Sequence, residues 1–148
     1  MSHEQVTVEL VQRQDYRFDI RFGGNIPPLT SDAPAPLGTG TGPSPEHLLC
    51  AAVGNCLSDS LLFALRKFKQ APEPLQASVT AEVGRNADGR VRVLHLHATL
   101  RLGVPAARLE HLERVLSQFE GYCTVSQSVG QGIPITVTVL DADHQVLK

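Results

Sequence analysis

Three cysteines, Cys50, Cys56 and Cys123, are the residues of this 148-residue sequence with the clearest capacity for chemistry. An odd number of cysteines in a reducing compartment argues against a disulfide framework and leaves buried thiols or thiol chemistry. Zinc is a weaker option, because the sequence has no Cys-x-x-Cys pair and the interval from Cys50 to Cys56 is wide for a ligand knuckle. The cysteines are therefore interpreted either as core packing residues or as redox-active thiols.

Cys56 lies inside a predicted helix among small polar residues, and Cys123 follows a predicted helix end with hydroxyls beside it. An accessible thiol in such places can react, but for each cysteine a small core hydrophobe is the competing interpretation. Cys50 precedes Cys56 by six residues, roughly 240° around an ideal helix, and is interpreted as packing. His95 and His97 share one face of a predicted strand and could chelate a metal, although the sequence names no third ligand.

The N-terminal region has the pattern of a β-hairpin. Alternation of apolar and polar residues predicts strands at 6–11 and 16–22, closed as a hairpin, with Arg17 and Arg21 on one face of the second strand. Residues 23–45 then hold six of the ten prolines and five of the twelve glycines. Such a composition predicts a long loop that binds, covers or reaches something.

A long helix is predicted from Ser44-Pro45-Glu46 to about Lys69, with Ser as its cap and Glu in its first turn. Apolar residues surround nearly its whole circumference, which predicts burial on all sides. One sheet covers one side only, so we infer a partner subunit. The polar residues Asn55, Ser58, Asp59 and Ser60 argue against a membrane span.

The remaining pattern predicts strands at 76–85 and 90–102 joined by a turn at 86–89, an amphipathic helix at 105–119 and a last strand at 133–140. This order predicts one α+β domain over residues 1–148, with antiparallel sheets around the long buried helix. A net charge of −2 with scattered basic residues excludes a nucleic-acid face. The first residues lack the pattern of a signal peptide, so a cytoplasmic location is expected.

Three motifs are distinctive: Thr41-Gly42-Pro43-Ser44-Pro45-Glu46-His47-Leu48-Leu49, Ala51-Ala52-x-x-x-Cys56 and Cys123-x-Val125-Ser126. Together they resemble the motifs of the OsmC/Ohr family of organic hydroperoxide reductases. The resemblance extends over nearly the whole chain. It implies an OsmC-like fold and an intertwined homodimer with two central helices, which agrees with the partner inferred from the long helix.

The same resemblance implies roles for individual residues. Cys56 would be the thiol that attacks the peroxide, Cys123 the resolving thiol, and Glu46 the acidic residue of the site. The activating arginine would come from the N-terminal hairpin, where we favour Arg21 over Arg17 because it adjoins the long loop. No bound cofactor or metal is implied, and an external dithiol, of lipoyl type or small, would supply the electrons.

Two positions depart from the family pattern: Thr124 stands where proline is common, and Gln127 where a basic residue is common. The alternative function is therefore an OsmC-like dimeric stress-associated or ligand-binding protein with weak or no peroxidase activity. Ten residues of straight helix would separate Glu46 from Cys56 by about 15 Å. Unless the helix breaks at Gly54-Asn55, Glu46 is expected to act in the partner's site.

Overall fold

Three short strands form the first sheet of the computed structural model, which describes residues 2–148. They are β1 (Glu9–Gln14), β2 (Arg17–Arg21) and β3 (Leu29–Ser31), paired antiparallel in the order β1-β2-β3. The hairpin between β1 and β2 is present as predicted. The prediction of one uninterrupted loop over residues 23–45 is wrong, because β3 lies within it and pairs with β2.

An ordered loop, residues 32–41, follows β3 and is organised around one carboxylate. Asp32 is 3% exposed and accepts hydrogen bonds from the backbone N–H and the hydroxyl of both Thr39 and Thr41, at 2.7–3.2 Å. A Cβ atom at Gly38 would collide with the carbonyl oxygen of Ala33. The segment Gly38-Thr39-Gly40-Thr41-Gly42 therefore encloses Asp32. The hydrogen bonds to the Asp32 carboxylate, of which the one from the Thr39 hydroxyl has the largest effect, hold its pKa well below the usual range.

The long helix α1 (Pro45–Lys67) begins with a reciprocal cap. The Oγ of Ser44 accepts a hydrogen bond from the His47 backbone N–H at 3.3 Å, and His47 Nδ1 accepts one from the Ser44 N–H at 3.0 Å. The helix is continuous through Gly54-Asn55, so the break considered above is absent. It ends two residues before the predicted boundary.

The buried side chains of α1 recur at every fourth residue and form one stripe along the helix. Val53, Leu57, Leu61 and Leu65 are fully buried, whereas Phe63 is 72% exposed. A single chain therefore buries one side of α1 only, and burial of its other sides by a partner subunit stays a prediction. The helix also has the length and hydropathy of a membrane span, at a mean hydropathy of 1.7. Its buried stripe belongs to the hydrophobic core of the chain.

The second sheet contains β4 (Gln76–Arg85), β5 (Val91–Arg101) and β6 (Ile135–Leu140), in the order β4-β5-β6. The predicted turn at 86–89 is confirmed: Asn86 Oδ1 accepts hydrogen bonds from the amides of Asp88 and Arg90. The expectation of purely antiparallel pairing is wrong, because β6 runs parallel to β5. A parallel pair needs a crossover connection, and residues 102–134 supply it.

That crossover is less regular than the helix predicted for residues 105–119. It contains a 3-10 turn at Ala106–Arg108, then α2 (Leu112–Gln118), a 3-10 turn at Phe119–Tyr122 and α3 (Thr124–Val129). His111, with φ +60°, precedes α2, and the amide of Glu110 donates to the Gln70 side chain at 2.8 Å instead of to a helical carbonyl. Tertiary hydrogen bonds thus outweigh the helical pattern there.

The fold is α+β, with two small sheets and one long helix, as predicted. Contacts between residues divide it into two compact units, one ending at Leu48 and one from Leu49 to Lys148. The hydrophobic core of the second unit is formed by α1, the inner face of the second sheet and the crossover. Its largest fully buried side chains include Phe119, Leu57 and Leu96.

Candidate functional site: a thiol pair beside an apolar cavity

Cys56 and Cys123 come together in the second unit, although 67 positions separate them in the sequence. Their side chains are close enough together for Cys123 to raise the pKa of Cys56, and both are free thiols. Cys123 caps the N-terminus of α3, where its Sγ accepts from the Ser126 amide at 3.5 Å. The Cys56 Sγ accepts from the amide of Val125 in the same first turn, also at 3.5 Å. One short helix start therefore holds both sulfur atoms.

Burial raises the pKa of the Cys56 thiol above its ordinary value, and the contact with Cys123 raises it further. The Val125 N–H acts in the opposite direction because it donates to the sulfur, and the charge of Asp59 adds a smaller upward effect. Among residues 49–148 no lysine or arginine donates a hydrogen bond to Cys56. Within residues 49–148, the surroundings of Cys56 therefore favour the thiol over the thiolate.

An apolar cavity of about 570 Å³ opens beside Cys56. Aromatic rings supply much of its wall, and a volume of this size accommodates a small organic molecule. Phe119 is fully buried, whereas Phe63 and Tyr122 are 72% and 79% exposed. The lining residues from the aromatic and charged classes are Phe63, Phe68, Phe119, Tyr122, Asp59, Lys67 and Arg114.

The ring of Phe68 contacts two residues of the crossover, His111 and Arg114. Its ring stacks on His111 with centroids 4.7 Å apart, and the Arg114 guanidinium lies 5.7 Å from the ring centroid. These contacts position Arg114 in the cavity wall. The cavity therefore combines an apolar surface with a cationic group and a thiol.

The polar residues of α1 near Cys56 find partners on the helix itself. The Asn55 side chain donates to Asp59 at 3.0 Å, and the Ser58 hydroxyl donates to the Gly54 carbonyl at 2.7 Å. Asn55 and Asp59 are exposed, so the cluster is not buried as the sequence suggested. Cys50, half-buried, packs against the core on another side of the helix.

The other predicted site residues belong to the first unit. Glu46 is exposed in the first turn of α1. Arg21 is exposed at the end of β2, where its charge helps to lower the pKa of Asp19 after the larger effect of Arg13. Arg17 instead donates to the Thr39 hydroxyl at 3.0 Å and lies 4.0 Å from the Asp32 carboxylate. The catalytic roles of Glu46 and Arg21 stay predictions.

Two features of the site were missed by reasoning from the sequence. The first is the hydrogen bond from the Val125 amide of α3 to Cys56. These residues are 69 positions apart, so their contact leaves no local pattern in the sequence. The second is the aromatic wall, since Phe119 at helical spacing indicates core as readily as cavity. The clustering of Phe63, Phe68, Phe119 and Tyr122 near the two cysteines in sequence was the one available signal.

Comparison with known solved structures shows the same fold repeatedly. An OsmC-like protein of unknown function from Vibrio cholerae superposes with a TM-score of 0.79 at 15% identity, covering 93% of this chain and 100% of that one. An organic hydroperoxide resistance protein from Elizabethkingia anophelis gives 0.72 at 14% identity, with 93% and 98% covered. The organic hydroperoxide resistance protein of Bacillus subtilis gives 0.69 at 13%, with 90% and 97% covered. Such identities establish the fold alone.

Comparison at the sequence level is narrower. No curated protein matches the chain significantly. The model of the OsmC-like protein family, however, matches residues 38–138, which is more than half of the chain and includes both cysteines of the pair. The chain therefore belongs to the OsmC-like protein family.

Proposed function

We propose that this protein is a thiol-dependent peroxidase that reduces organic hydroperoxides to alcohols. The observation that carries the proposal is the contact between the Cys56 and Cys123 thiols beside an apolar cavity. A thiol pair in contact can cycle between dithiol and disulfide, and an apolar wall favours an alkyl peroxide over hydrogen peroxide. Family membership and the names of similar structures support the same chemistry.

The reaction would proceed in three steps. The Cys56 thiolate attacks the outer peroxide oxygen, the O–O bond breaks, and the alkoxide takes a proton to leave as the alcohol. The resulting Cys56 sulfenic acid condenses with the Cys123 thiol, forming a disulfide and releasing water. An external dithiol then reduces this disulfide by exchange and is itself oxidised.

The first step requires a thiolate, which the second unit disfavours. Because burial raises the pKa of Cys56, a cation must come from elsewhere, and we propose Arg21 for this role with Glu46 of the partner subunit completing the site. A homodimer would supply Glu46, and would also cover the exposed side of α1 at Phe63. A cytoplasmic location would provide the reducing dithiols.

Intact mass spectrometry after treatment with cumene hydroperoxide tests the proposal. The wild-type chain is expected to lose two hydrogens, C123S to gain one oxygen as sulfenic acid, and C56S to remain unchanged. The matched control C50S is expected to lose two hydrogens like the wild type. An unchanged wild-type mass, with all thiols still open to alkylation, would overturn the proposal.

A second candidate is an apolar-ligand-binding protein that does not turn over. The raised pKa of Cys56, and the absence within residues 49–148 of a cation that donates to it, favour this function. It predicts saturable quenching or shift of an apolar fluorophore in the cavity together with an unchanged mass after peroxide. Formation of a Cys56–Cys123 disulfide on peroxide treatment, at a rate faster than exchange of the bound fluorophore, would exclude this second function.

A further inference from the structure

Glu82, His95 and His97 form a cluster on the outer face of the second sheet, separate from the thiol pair. Each offers one ligand atom, and these atoms lie within 4.8 Å of one another. The opposite face of β5 carries Leu96, which is fully buried in the core. The cluster is therefore built on the surface side of a strand whose other side is fixed by packing.

Strand register places the three residues together. Glu82 on β4 lies directly opposite His95 on β5, and His97 follows two residues later on the same face. β5 is the central strand, hydrogen-bonded to β4 on one side and β6 on the other. A site on a doubly paired strand is preorganised, because its backbone has little freedom to lose when a ligand binds.

The distances within the cluster suit a metal ion. His97 Nε2 lies 3.2 Å from Glu82 Oε2, and two ligands about 2.0–2.1 Å from a tetrahedral ion are separated by about 3.3 Å. The His95 and His97 rings stack in parallel with centroids 4.1 Å apart. Because an imidazole lone pair lies in the plane of its ring, the exposed His97 ring must turn out of this stack for both residues to bind one ion.

Neighbouring groups favour a cation. His95 Nε2 is hydrogen-bonded to the Thr136 hydroxyl at 2.7 Å, which fixes the ring and leaves Nδ1 available as a ligand. The strand partners of the two histidines are Glu82, Thr80 and Thr136, and none is cationic. A carboxylate with two imidazoles is the ligand set of open zinc sites and related first-row metals.

We propose that Glu82, His95 and His97 bind one divalent first-row transition metal ion, with Zn²⁺ as the representative probe. Two imidazoles and one carboxylate leave at least one coordination position for water. The site is independent of the proposed peroxidase, since it uses neither Cys56 nor Cys123. Its test can therefore fail or succeed whatever the thiols do.

Competition for Zn²⁺ against a chromophoric indicator measures the binding. Because thiols also bind zinc, the titration uses the full chain carrying C56S and C123S, together with the wild type under reducing conditions. One high-affinity equivalent is expected to persist in the C56S/C123S chain. H97Q and E82Q are expected to weaken it by about tenfold or more. H3Q, which removes an imidazole from the first unit, is the matched control and should change nothing.

Histidine ring resonances in the wild-type protein provide a second readout that needs no thiol substitution. Zn²⁺ is expected to shift the signals of His95 and His97 and to leave those of His47, His111 and His144 in place. Equal affinity of the C56S/C123S chain with and without H97Q, or zinc binding abolished by C56S/C123S, would overturn the proposal. So would histidine signals that do not respond to one equivalent of Zn²⁺.

Discussion

The backbone N–H of Val125 donates a hydrogen bond to the Sγ of Cys56 over 3.5 Å, and joins the first turn of α3 to the middle of α1. In the same turn, the Ser126 amide donates to the Sγ of Cys123 at 3.5 Å. Amide donors favour the charged form of the sulfur that they contact, since they stabilise a thiolate more than a thiol. This helix start therefore opposes the burial that keeps Cys56 protonated.

Replacing Cys123 is expected to make Cys56 more reactive toward an alkylating reagent. The contact with Cys123 is the second largest cause of the raised Cys56 pKa, so C123A should lower that pKa and increase the thiolate fraction near neutral pH. The rate of iodoacetamide labelling at Cys56, followed by peptide mass against pH, measures this. In the wild type the rate should continue to rise above about pH 8.5, the ordinary pKa of a cysteine.

The charge of Asp59 provides an internal check on that interpretation. D59N should shift the labelling profile in the same direction as C123A but less, because Asp59 is the smallest of the effects that raise the pKa. D88N removes a matched exposed carboxylate in the turn between β4 and β5 and should leave the profile where it is. A C123A profile at or above the wild-type pKa would contradict the assignment.

Two aromatic residues of the cavity wall are expected to differ in what they contribute. Tyr122 is 79% exposed, so Y122A should change the free energy of unfolding by no more than about 0.5 kcal/mol. Loss of its apolar contact should still reduce kcat/KM for cumene hydroperoxide by about tenfold, since burying such a side chain contributes roughly 1.5–3 kcal/mol. Hydrogen peroxide, too small to contact the ring, should be less affected.

Phe119 is the structural counterpart to Tyr122, because it is fully buried and also lines the cavity. F119A should lower the free energy of unfolding by about 3–5 kcal/mol. Denaturant unfolding of both variants distinguishes the two roles. A large stability loss in Y122A, or none in F119A, would show that the wall is organised differently.

The two arginines of β2 can be separated experimentally. Arg17 donates to Thr39 and faces Asp32, so R17A should lower the melting temperature by releasing the ordered loop at 32–41. Arg21 is exposed and makes no such bond within the first unit, so R21A should leave the melting temperature unchanged. If Arg21 activates the thiol, R21A should instead slow alkylation of Cys56 near neutral pH. A slower reaction in R17A alone would reassign the role.

Hydrophobic patterning predicted much of the fold. The strands at 76–85 and 90–102 were placed to within a residue, because alternation and the turn signal at 86–89 agree. β3 was missed because Leu29–Ser31 has only three residues among prolines and glycines, too few to show a period. The break before α2 was missed because it depends on Gln70, 40 positions away from the amide that it bonds.

The candidate site was predictable only through resemblance. The type and spacing of Cys56 and Cys123 left both packing and chemistry open, and only the fold brings the side chains together. The same holds for the cluster of Glu82, His95 and His97. His95 and His97 alternate on a strand that the sequence predicts, but Glu82 is on the neighbouring strand and lies beside them only because of how the two strands pair. Pairing between strands is a non-local property that periodicity does not encode.

The ordered loop at 32–41 should depend on the ionisation of Asp32. Because its folded pKa is lowered, the carboxylate contributes stability above its unfolded pKa, about 3.9, and loses that contribution as the pH falls through the folded pKa. D32N should therefore melt at a lower temperature than the wild type at pH 7, with the difference shrinking below about pH 4. A pH-independent difference between the two melting temperatures would point to packing instead.

The exposed side of α1 should bind a second copy of the chain. Ala52 and Phe63 lie on that side, away from the buried stripe of Val53, Leu57 and Leu61. Light scattering after gel filtration should give twice the 16.0 kDa chain mass for the wild type. A52E places a charge among apolar groups and should shift the protein toward one chain mass, because an unpaired charge is costly to bury. A87E, a matched substitution in the exposed turn between β4 and β5, should retain the wild-type mass. A wild-type mass of one chain would contradict the dimer, and with it the supply of Glu46 by the partner.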